Sequence, residues 1–317
     1  LSRSSQSEVY ALIEADLQAA ISALPLEKNT NGRATSLTAH ALLGKVYLYQ
    51  DKFDEAASIL EPLIGLYSLP ADPQSTFLKG GQNGPESVYE IQHTKESNWW
   101  DWGYVPQGTE GNFGVIHHGI RGYSGPLYSS GWSFNVPTQD LVDAFAAGDK
   151  RKDVAVLDIE AWATSTGAKY STGYEHTGYF NNKYIPRAGE SQAQQELNYE
   201  TNYRAIRYAD VLLMAAEANN RASSPNVSKA QNYLNQVRAR AYGNSSNASS
   251  STGTTLTQEI WDERRLELAG EGSRFFDLVR TGQAASVISG FVAGKHELFP
   301  IPQTEIDVSN LTQNPGY

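Results

Sequence analysis

Three tryptophans within four residues form the densest group of side chains in this sequence with the chemistry of ligand binding. Trp99, Trp100 and Trp102 are flanked by Asn98 and Tyr104 and fit no helical repeat. Flat aromatic rings offer a large, rigid surface for stacking, while neighbouring polar groups can hydrogen-bond a ligand. We therefore predict that this segment is part of a ligand-binding site. The alternative is a loop anchored on the core by its tryptophans.

Two further aromatic groups follow in the same region of the chain. Both could add contacts to the same ligand, although packing beneath loops is the competing explanation for each. The first group comprises Tyr123, Tyr128, Trp132 and Phe134, and the second comprises Tyr170, Tyr174 and Tyr179.

Metal and catalytic motifs are scarce. The adjacent pair His117 and His118 would point to opposite faces of an extended strand, which makes a poor two-ligand metal site. The sequence contains no Cys, no H-E-x-x-H, no G-x-S-x-G and no phosphate-binding loop. Paired carboxylates for glycoside hydrolysis depend on spatial separation, which sequence does not give. Because the acids concentrate in one ion-rich helix, we expect a binding protein rather than an enzyme. The lack of metal-binding and phosphate-binding motifs predicts that it uses no metal and no cofactor.

Bulk composition narrows the class of protein. The chain has 317 residues, 40% of them hydrophobic and 19% charged, and a formal net charge of −10. These values are typical of one large globular domain or two closely joined ones. An acidic surface repels nucleic acid and anionic lipid, so neither is an expected partner. The lack of cysteine excludes a small fold held by disulfides.

The N-terminal part of the sequence predicts helical hairpins. Apolar residues recur at steps of three and four in residues 6–24, 39–47 and 53–64. Leu43, Gly44 and Tyr47, followed by Ala56, have the spacing of a tetratricopeptide-like hairpin in which the small residues allow close helix approach. Any other antiparallel helix pair is the alternative.

The middle of the chain has a different character. Gly, Pro, Asn, Ser and aromatic residues dominate residues 65–202, and helical periodicity mostly disappears. We predict one short strand at 87–93, with Tyr89 and Ile91 on one face, and one short helix at 139–147. Long irregular stretches in a compact domain are usually functional, so we expect the ligand site here.

Helices return in the C-terminal part. The periodicity predicts helices at 203–221, 228–241, 257–269 and 273–281, a polar loop at 244–255 and an extended tail at 296–317. The predicted fold is therefore mainly α: helical hairpins packed with a loop-rich region that carries few short strands. We divide the single domain into helical hairpins at 1–66, the loop-rich region at 67–202 and the C-terminal helices and tail at 203–317.

Acidic and basic residues alternate in residues 263–282, which read ERRLELAGEGSRFFDLVRTG. Charges this dense beside apolar and aromatic residues indicate a partly buried ionic network, which fixes geometry more surely than it adds stability. We expect the charged side chains of this segment to be buried and paired with one another, away from any ligand. They are Glu263, Arg264, Arg265, Glu271 and Arg274.

Five segments in order carry a resemblance to a known family. They are the first helix with the turn Gly32-Arg33, RYADVLLMAAEA at 207–218, LNQVRARA at 234–241, the charged segment at 263–282, and HELFPIP at 296–302 with QNPGY at 313–317. Together they resemble the SusD/RagB family, and the matches span nearly the whole chain.

The resemblance implies a role at the cell surface. A SusD-like protein is expected to bind an oligo- or polysaccharide on the outer face of the outer membrane and to deliver it to a SusC-type TonB-dependent transporter. The family begins with a lipid-bearing cysteine and further N-terminal structure, so we expect this chain to be N-terminally incomplete. A glycoside hydrolase of the same uptake system and a peptide- or protein-binding helical scaffold are the alternatives.

Overall fold

A computed structural model describes residues 2–26, 31–96, 110–173, 175–191 and 198–317. The fold is mainly α-helical, as the sequence predicts. Its helices are α1 (Gln6–Ala23), α2 (Ser36–Leu48), α3 (Phe53–Leu60), α4 (Gly114–His117), α5 (Gln139–Ala144), α6 (Arg151–Ala155), α7 (Ile159–Thr166), α8 (Tyr208–Arg221), α9 (Val227–Tyr242), α10 (Gly253–Glu267), α11 (Arg274–Arg280), α12 (Ala284–Val287) and α13 (Gln303–Asp307). Its strands are β1 (Ser87–Ile91), β2 (Val156–Asp158), β3 (Tyr179–Asn181) and β4 (Tyr203–Arg207).

The largest hydrophobic core lies between α2, α3, α8, α9 and α10. The middle of α8 is buried on all sides, as its nearly unbroken apolar sequence predicts. Gly44 lets α2 and α3 approach closely, because a Cβ added there would lie 2.4 Å from Leu60 Cδ2. The predicted role of this glycine in close helix packing is confirmed.

Helix α1 lies on the edge of this core. Leu17 and Ile21 pack against it, but no residue of α1 is fully buried. Val9 and Leu12 are exposed to solvent. A capping box at Ser5 and Glu8 stabilises the start of the helix.

One predicted helix begins later than its sequence suggests. Residues 203–207 form strand β4, which pairs with β1 in an antiparallel ladder and then leads directly into α8. The prediction of a helix from residue 203 was therefore wrong. Long-range pairing with β1, a contact that local periodicity does not reveal, decides the conformation.

Strand β1 confirms the predicted strand at 87–93. Val88 and Glu90 are buried, Tyr89 is half-buried and Ile91 is exposed, so the face that carries Tyr89 and Ile91 is the less buried one. The C-terminal predictions also need adjustment, since α10 begins at Gly253 inside the predicted loop, and α13 interrupts the predicted extended tail. Within the described part of the chain, no helix is both long enough and apolar enough to cross a bilayer.

The loop-rich region has small cores of its own. Strands β2 and β3 pair antiparallel, and Ile120, Tyr128, Ile159 and Phe180 pack in one cluster beside them. Short helices α4, α6 and α7 lie in this region although its sequence shows little helical periodicity. These satellite cores give the loops fixed positions, which a rigid ligand site requires.

A buried ionic network joins the loop-rich region to the C-terminal helices. Arg207 pairs with Glu86, with Glu267 at 3.0 Å and with Glu271 at 2.6 Å. Arg240 pairs with Glu86 at 3.2 Å and Glu267 at 2.5 Å. Further ion pairs extend the network through Arg151, Lys183 and Glu263.

The structure changes the predicted pairing within the charged segment. Glu263, Arg264 and the Glu271 carboxylate are buried as predicted, but most of their partners come from other elements. Arg264, for example, lies 2.7 Å from Asp210. Arg265 is only half-buried and pairs with exposed Asp140. Half-buried Arg274 makes no ion pair with any residue that the structure describes. The chain breaks its helix between α10 and α11, so spacing along one helix does not give these contacts.

Candidate functional site

The first predicted binding segment lies outside the described residues. Trp99, Trp100, Trp102, Tyr104 and Asn98 all fall within residues 97–109. Their assignment to the ligand site therefore stays a prediction.

Tyr123 and Tyr128 are described and are buried, with 8% and 6% of their surface exposed. The Tyr123 hydroxyl donates to the Pro126 carbonyl at 2.6 Å and accepts from Trp162 Nε1 at 2.9 Å. Burial raises the pKa of the Tyr128 hydroxyl, whose ring lies beneath the Arg187 guanidinium. In this conformation both rings support neighbouring loops and offer little surface to a ligand.

Trp132 belongs to a partly exposed group of rings that we call the aromatic surface: Phe113, His117, Trp132 and Phe134. The His117 ring centroid lies 4.9 Å from Phe113 and 4.9 Å from Trp132. Phe134 is 54% exposed and lies 5.8 Å from His117. The four rings form one contiguous set in tilted and edge-to-face contact, a geometry that aromatic rings prefer.

Backbone hydrogen bonds fix the position of the aromatic surface. The amides of Trp132 and Phe134 donate to the carbonyls of Ile116 and His117 at 3.0 and 2.7 Å. The Arg121 guanidinium also donates to the Trp132 carbonyl, at 2.8 Å. The segment that carries Trp132 and Phe134 is thus attached directly to the short helix that carries His117. Such attachment reduces the entropy lost when a ligand binds.

The backbone around Trp132 is both crowded and strained. A Cβ on Gly131 would lie 2.4 Å from Gly119 Cα, so both residues must be glycine for the two segments to approach. Ser133 and Asn135 have φ values of +63° and +52°, a region that residues other than glycine rarely adopt. Backbone strain of this kind persists where the surrounding structure enforces it, often at ligand sites.

The aromatic surface is uncharged at neutral pH. Burial lowers the pKa of His117 below its ordinary value, so the imidazole is neutral. In the described part of the chain, no group of three or more His, Asp or Glu side chains could hold a metal ion. The arrangement is suited to stacking and neutral hydrogen bonding.

Sequence reasoning identified only part of this group. It singled out Trp132 and Phe134 but weighed His117 only as a metal ligand, and it did not select Phe113. A usable signal was the set of glycines around these rings at positions 111, 114, 119 and 131, which mark close backbone approach. In the third predicted group, the Tyr170 and Tyr179 side chains are half-buried, and Tyr174 lies outside the described residues.

Known proteins resemble this chain over its full length. Residues 156–296 match the SusD family model. A solved laminarin-binding SusD-like protein is 40% identical, and the match covers 100% of this chain and 71% of that one with a TM-score of 0.88. Surface glycan-binding protein A from Bacteroides thetaiotaomicron, solved with laminarihexaose, is 28% identical, and the match covers 97% of this chain and 70% of that one with a TM-score of 0.82.

A curated relative gives the same picture. SusD-like protein P2 from Formosa agariphila is 31% identical over 349 residues, an alignment that includes 100% of this chain. The chain spans 66% of the length of that relative and 59% of the length of SusD-like protein P38 from the same organism.

Proposed function

Because this chain belongs to the SusD family, we propose that it binds a glycan at the cell surface and delivers it to a SusC-type TonB-dependent outer-membrane transporter. The observation that carries the proposal is the aromatic surface, which presents Trp132 and Phe134 on a rigid backbone. Attachment to the outer membrane by a lipid-bearing cysteine upstream of these residues, and the transporter partnership, are what the family assignment leads us to expect.

We further propose that the ligand is laminarin or an oligosaccharide derived from it. The 40% identical relative is described as laminarin-binding, and the Bacteroides thetaiotaomicron relative was solved with laminarihexaose. Laminarin is built of glucose units that carry no charge. The neutral character of the aromatic surface suits such a ligand, because stacking and neutral hydrogen bonds need no counter-charge.

Binding rather than hydrolysis fits the placement of the acidic side chains. Glu263, Glu267 and Glu271 are each within 3.3 Å of an Arg or Lys side chain in the buried ionic network. Although burial alone would raise it, the neighbouring Arg and Lys charges lower the pKa of Glu267 and of Glu271, so these two carboxylates stay charged and make poor general acids. The acids of the charged segment therefore have a structural explanation.

The test is calorimetric titration of the purified protein with laminarihexaose and laminarin. We expect binding by the wild type, and roughly fivefold to tenfold weaker binding by Trp132→Ala and Phe134→Ala. Phe299→Ala is the matched control, because Phe299 is 78% exposed but belongs to the C-terminal tail rather than the aromatic surface. Trp99→Ala, Trp100→Ala and Trp102→Ala test the predicted segment in the same way.

Three results would contradict the proposal. The first is a wild type that binds no glucan while binding a peptide. The second is the appearance of shortened oligosaccharides during incubation, which would indicate a hydrolase. The third is unchanged affinity in all five aromatic variants, which would place the ligand on another surface.

A further inference from the structure

A cleft of about 230 Å³ lies beside the aromatic surface, between the turn containing α4 and the glycine-rich break at residues 270–272. Several residues that line the cleft are sequence neighbours of rings in the aromatic surface. Asn112 and Gly114 flank Phe113. His118 follows His117, and Asn135 follows Phe134. We call it the Tyr203 cleft. Its lining includes Asn135, His118, Tyr184, Tyr203, Glu271 and Gly272.

We propose that the Tyr203 cleft is a second subsite, which binds one sugar unit of the same glycan chain that stacks on the aromatic surface. This inference rests on the proposed function and adds a subsite to it. Complete small-molecule sites typically enclose roughly 300–1,000 Å³. A cleft of about 230 Å³ therefore suits part of a longer ligand rather than a whole one.

Tyr203 provides the stacking face of this subsite. It begins strand β4 and is 41% exposed, although its ring lies 6.1 Å from that of buried Tyr184. Pairing of β4 with β1 fixes the backbone of Tyr203 opposite Ile91. Burial and the charge of Glu271 raise the pKa of the Tyr203 hydroxyl, so it stays protonated and can hydrogen-bond a sugar hydroxyl. A rigid ring with an exposed part and a polar end is a typical sugar contact.

The charges around the cleft are already compensated. Glu271 lies in its wall, but its carboxylate is held by Lys183 and Arg207, each at 2.6 Å. Burial lowers the pKa of His118 to about 4, so its imidazole is neutral at physiological pH. A neutral cleft with polar side chains favours an uncharged, hydroxyl-rich ligand over an ion.

Asn135 connects the two subsites. Asn135 directly follows Phe134 in the sequence, and its backbone has a φ of +52°. Its side chain is exposed and donates to the Gly270 carbonyl at 3.2 Å. Gly272 lines the cleft as well, and a Cβ at this position would meet no atom within 4 Å, so this part of the wall is not crowded. A linear chain stacked on Phe134 can therefore extend past Asn135 into the cleft.

The experiment compares affinity across oligosaccharide length. Laminari-oligosaccharides of two to six units are titrated into the wild type, Tyr203→Ala, Tyr203→Phe and Trp132→Ala. Tyr317→Ala is the control, since Tyr317 is similarly exposed but lies in the tail. We expect Tyr203→Ala to weaken binding of the hexasaccharide roughly threefold to tenfold and to leave the disaccharide unchanged. Trp132→Ala should weaken binding at every length, and Tyr203→Phe should retain most of the stacking.

Asn135→Gly is a second variant that tolerates the positive φ and removes the side chain. It should also reduce the gain in affinity with length, even if Tyr203→Ala fails to fold. One outcome would overturn the subsite and leave the proposed function standing. In it, folded Tyr203→Ala and Asn135→Gly bind the hexasaccharide as tightly as the wild type does, while Trp132→Ala binds it more weakly. Equal loss at all lengths in Tyr203→Ala would overturn it as well. A wild type that binds none of these glucans would instead contradict the proposed function itself, and the subsite with it.

Discussion

Replacement of Arg207 by Met is the sharpest test of the buried ionic network. Arg207 is 2% exposed and contacts three carboxylates, those of Glu86, Glu267 and Glu271. Removing one partner of a buried ion pair typically costs about 3–5 kcal/mol, because the remaining charge stays buried without compensation. For a chain of 317 residues, an unfolding entropy of roughly 2.1 cal/mol/K per residue converts this loss into a Tm lowered by about 4.5–7.5 °C.

Thermal unfolding followed by calorimetry measures this change. Lys229→Met is the matched control, because Lys229 and Glu61 form an exposed pair at 2.7 Å. Exposed pairs contribute at most about 1 kcal/mol, so the control should melt within about 2 °C of the wild type. If Arg207→Met melted as late as Lys229→Met, the network would not be a major source of stability and the reasoning would fail.

Three further predictions concern packing and pH. Gly44→Ala should destabilise the protein by about 1–3 kcal/mol in denaturant titrations, because its Cβ would overlap Leu60. Gly80→Ala is the control and should be nearly neutral, because its Cβ would meet no atom within 4 Å. Equal effects of the two substitutions would contradict the packing argument. Burial alone would raise the pKa of Glu217, but Arg280 lowers it from 4.5 to about 2. The stability that this carboxylate adds is therefore present above pH 4.5 and is lost as pH falls toward 2. Stability that stays constant over this window would refute the pairing. Burial lowers the pKa of His118 from 6.5 to about 4, so between these pH values the unfolded chain binds a proton that the folded chain does not. The free energy of unfolding should therefore fall as pH drops from 6.5 to 4. In the His118→Phe variant, the free energy of unfolding should fall less over that range.

The helices of the main core were predictable because their burial is periodic in the sequence. Residues spaced by three and four face the same side of a helix, so the core positions of α3 and α9 follow from local pattern. Helix α2 is less regular, because Leu42 belongs to its apolar sequence pattern but is 41% exposed. Strand β4 did not follow, because its partner β1 is more than 100 residues away. Residues 203–207 contain no Gly or Pro and come directly before the apolar sequence of α8, so their local sequence resembles the first turn of that helix.

The ligand site was harder to predict than the fold. Tyr128 and Trp132 are four residues apart in similar sequence surroundings, yet the first is buried and the second is half-exposed. Irregular segments have no period that assigns a side chain to the inside or the outside. The difference arises from tertiary contacts, such as the bonds from residues 132–134 to the 116–119 turn. The partners of Glu263 and Glu271 were missed for the same reason.

The buried ionic network also bears on how the chain can be divided. Arg151, Arg207 and Arg240 all pair with Glu267 and come from three separate parts of the sequence. A truncated protein that stops before residue 267 would hold these guanidinium groups in its interior with part of their neutralising charge removed. Because these charges would lose part of their compensation if one region opened alone, we expect the loop-rich region and the C-terminal helices to unfold together.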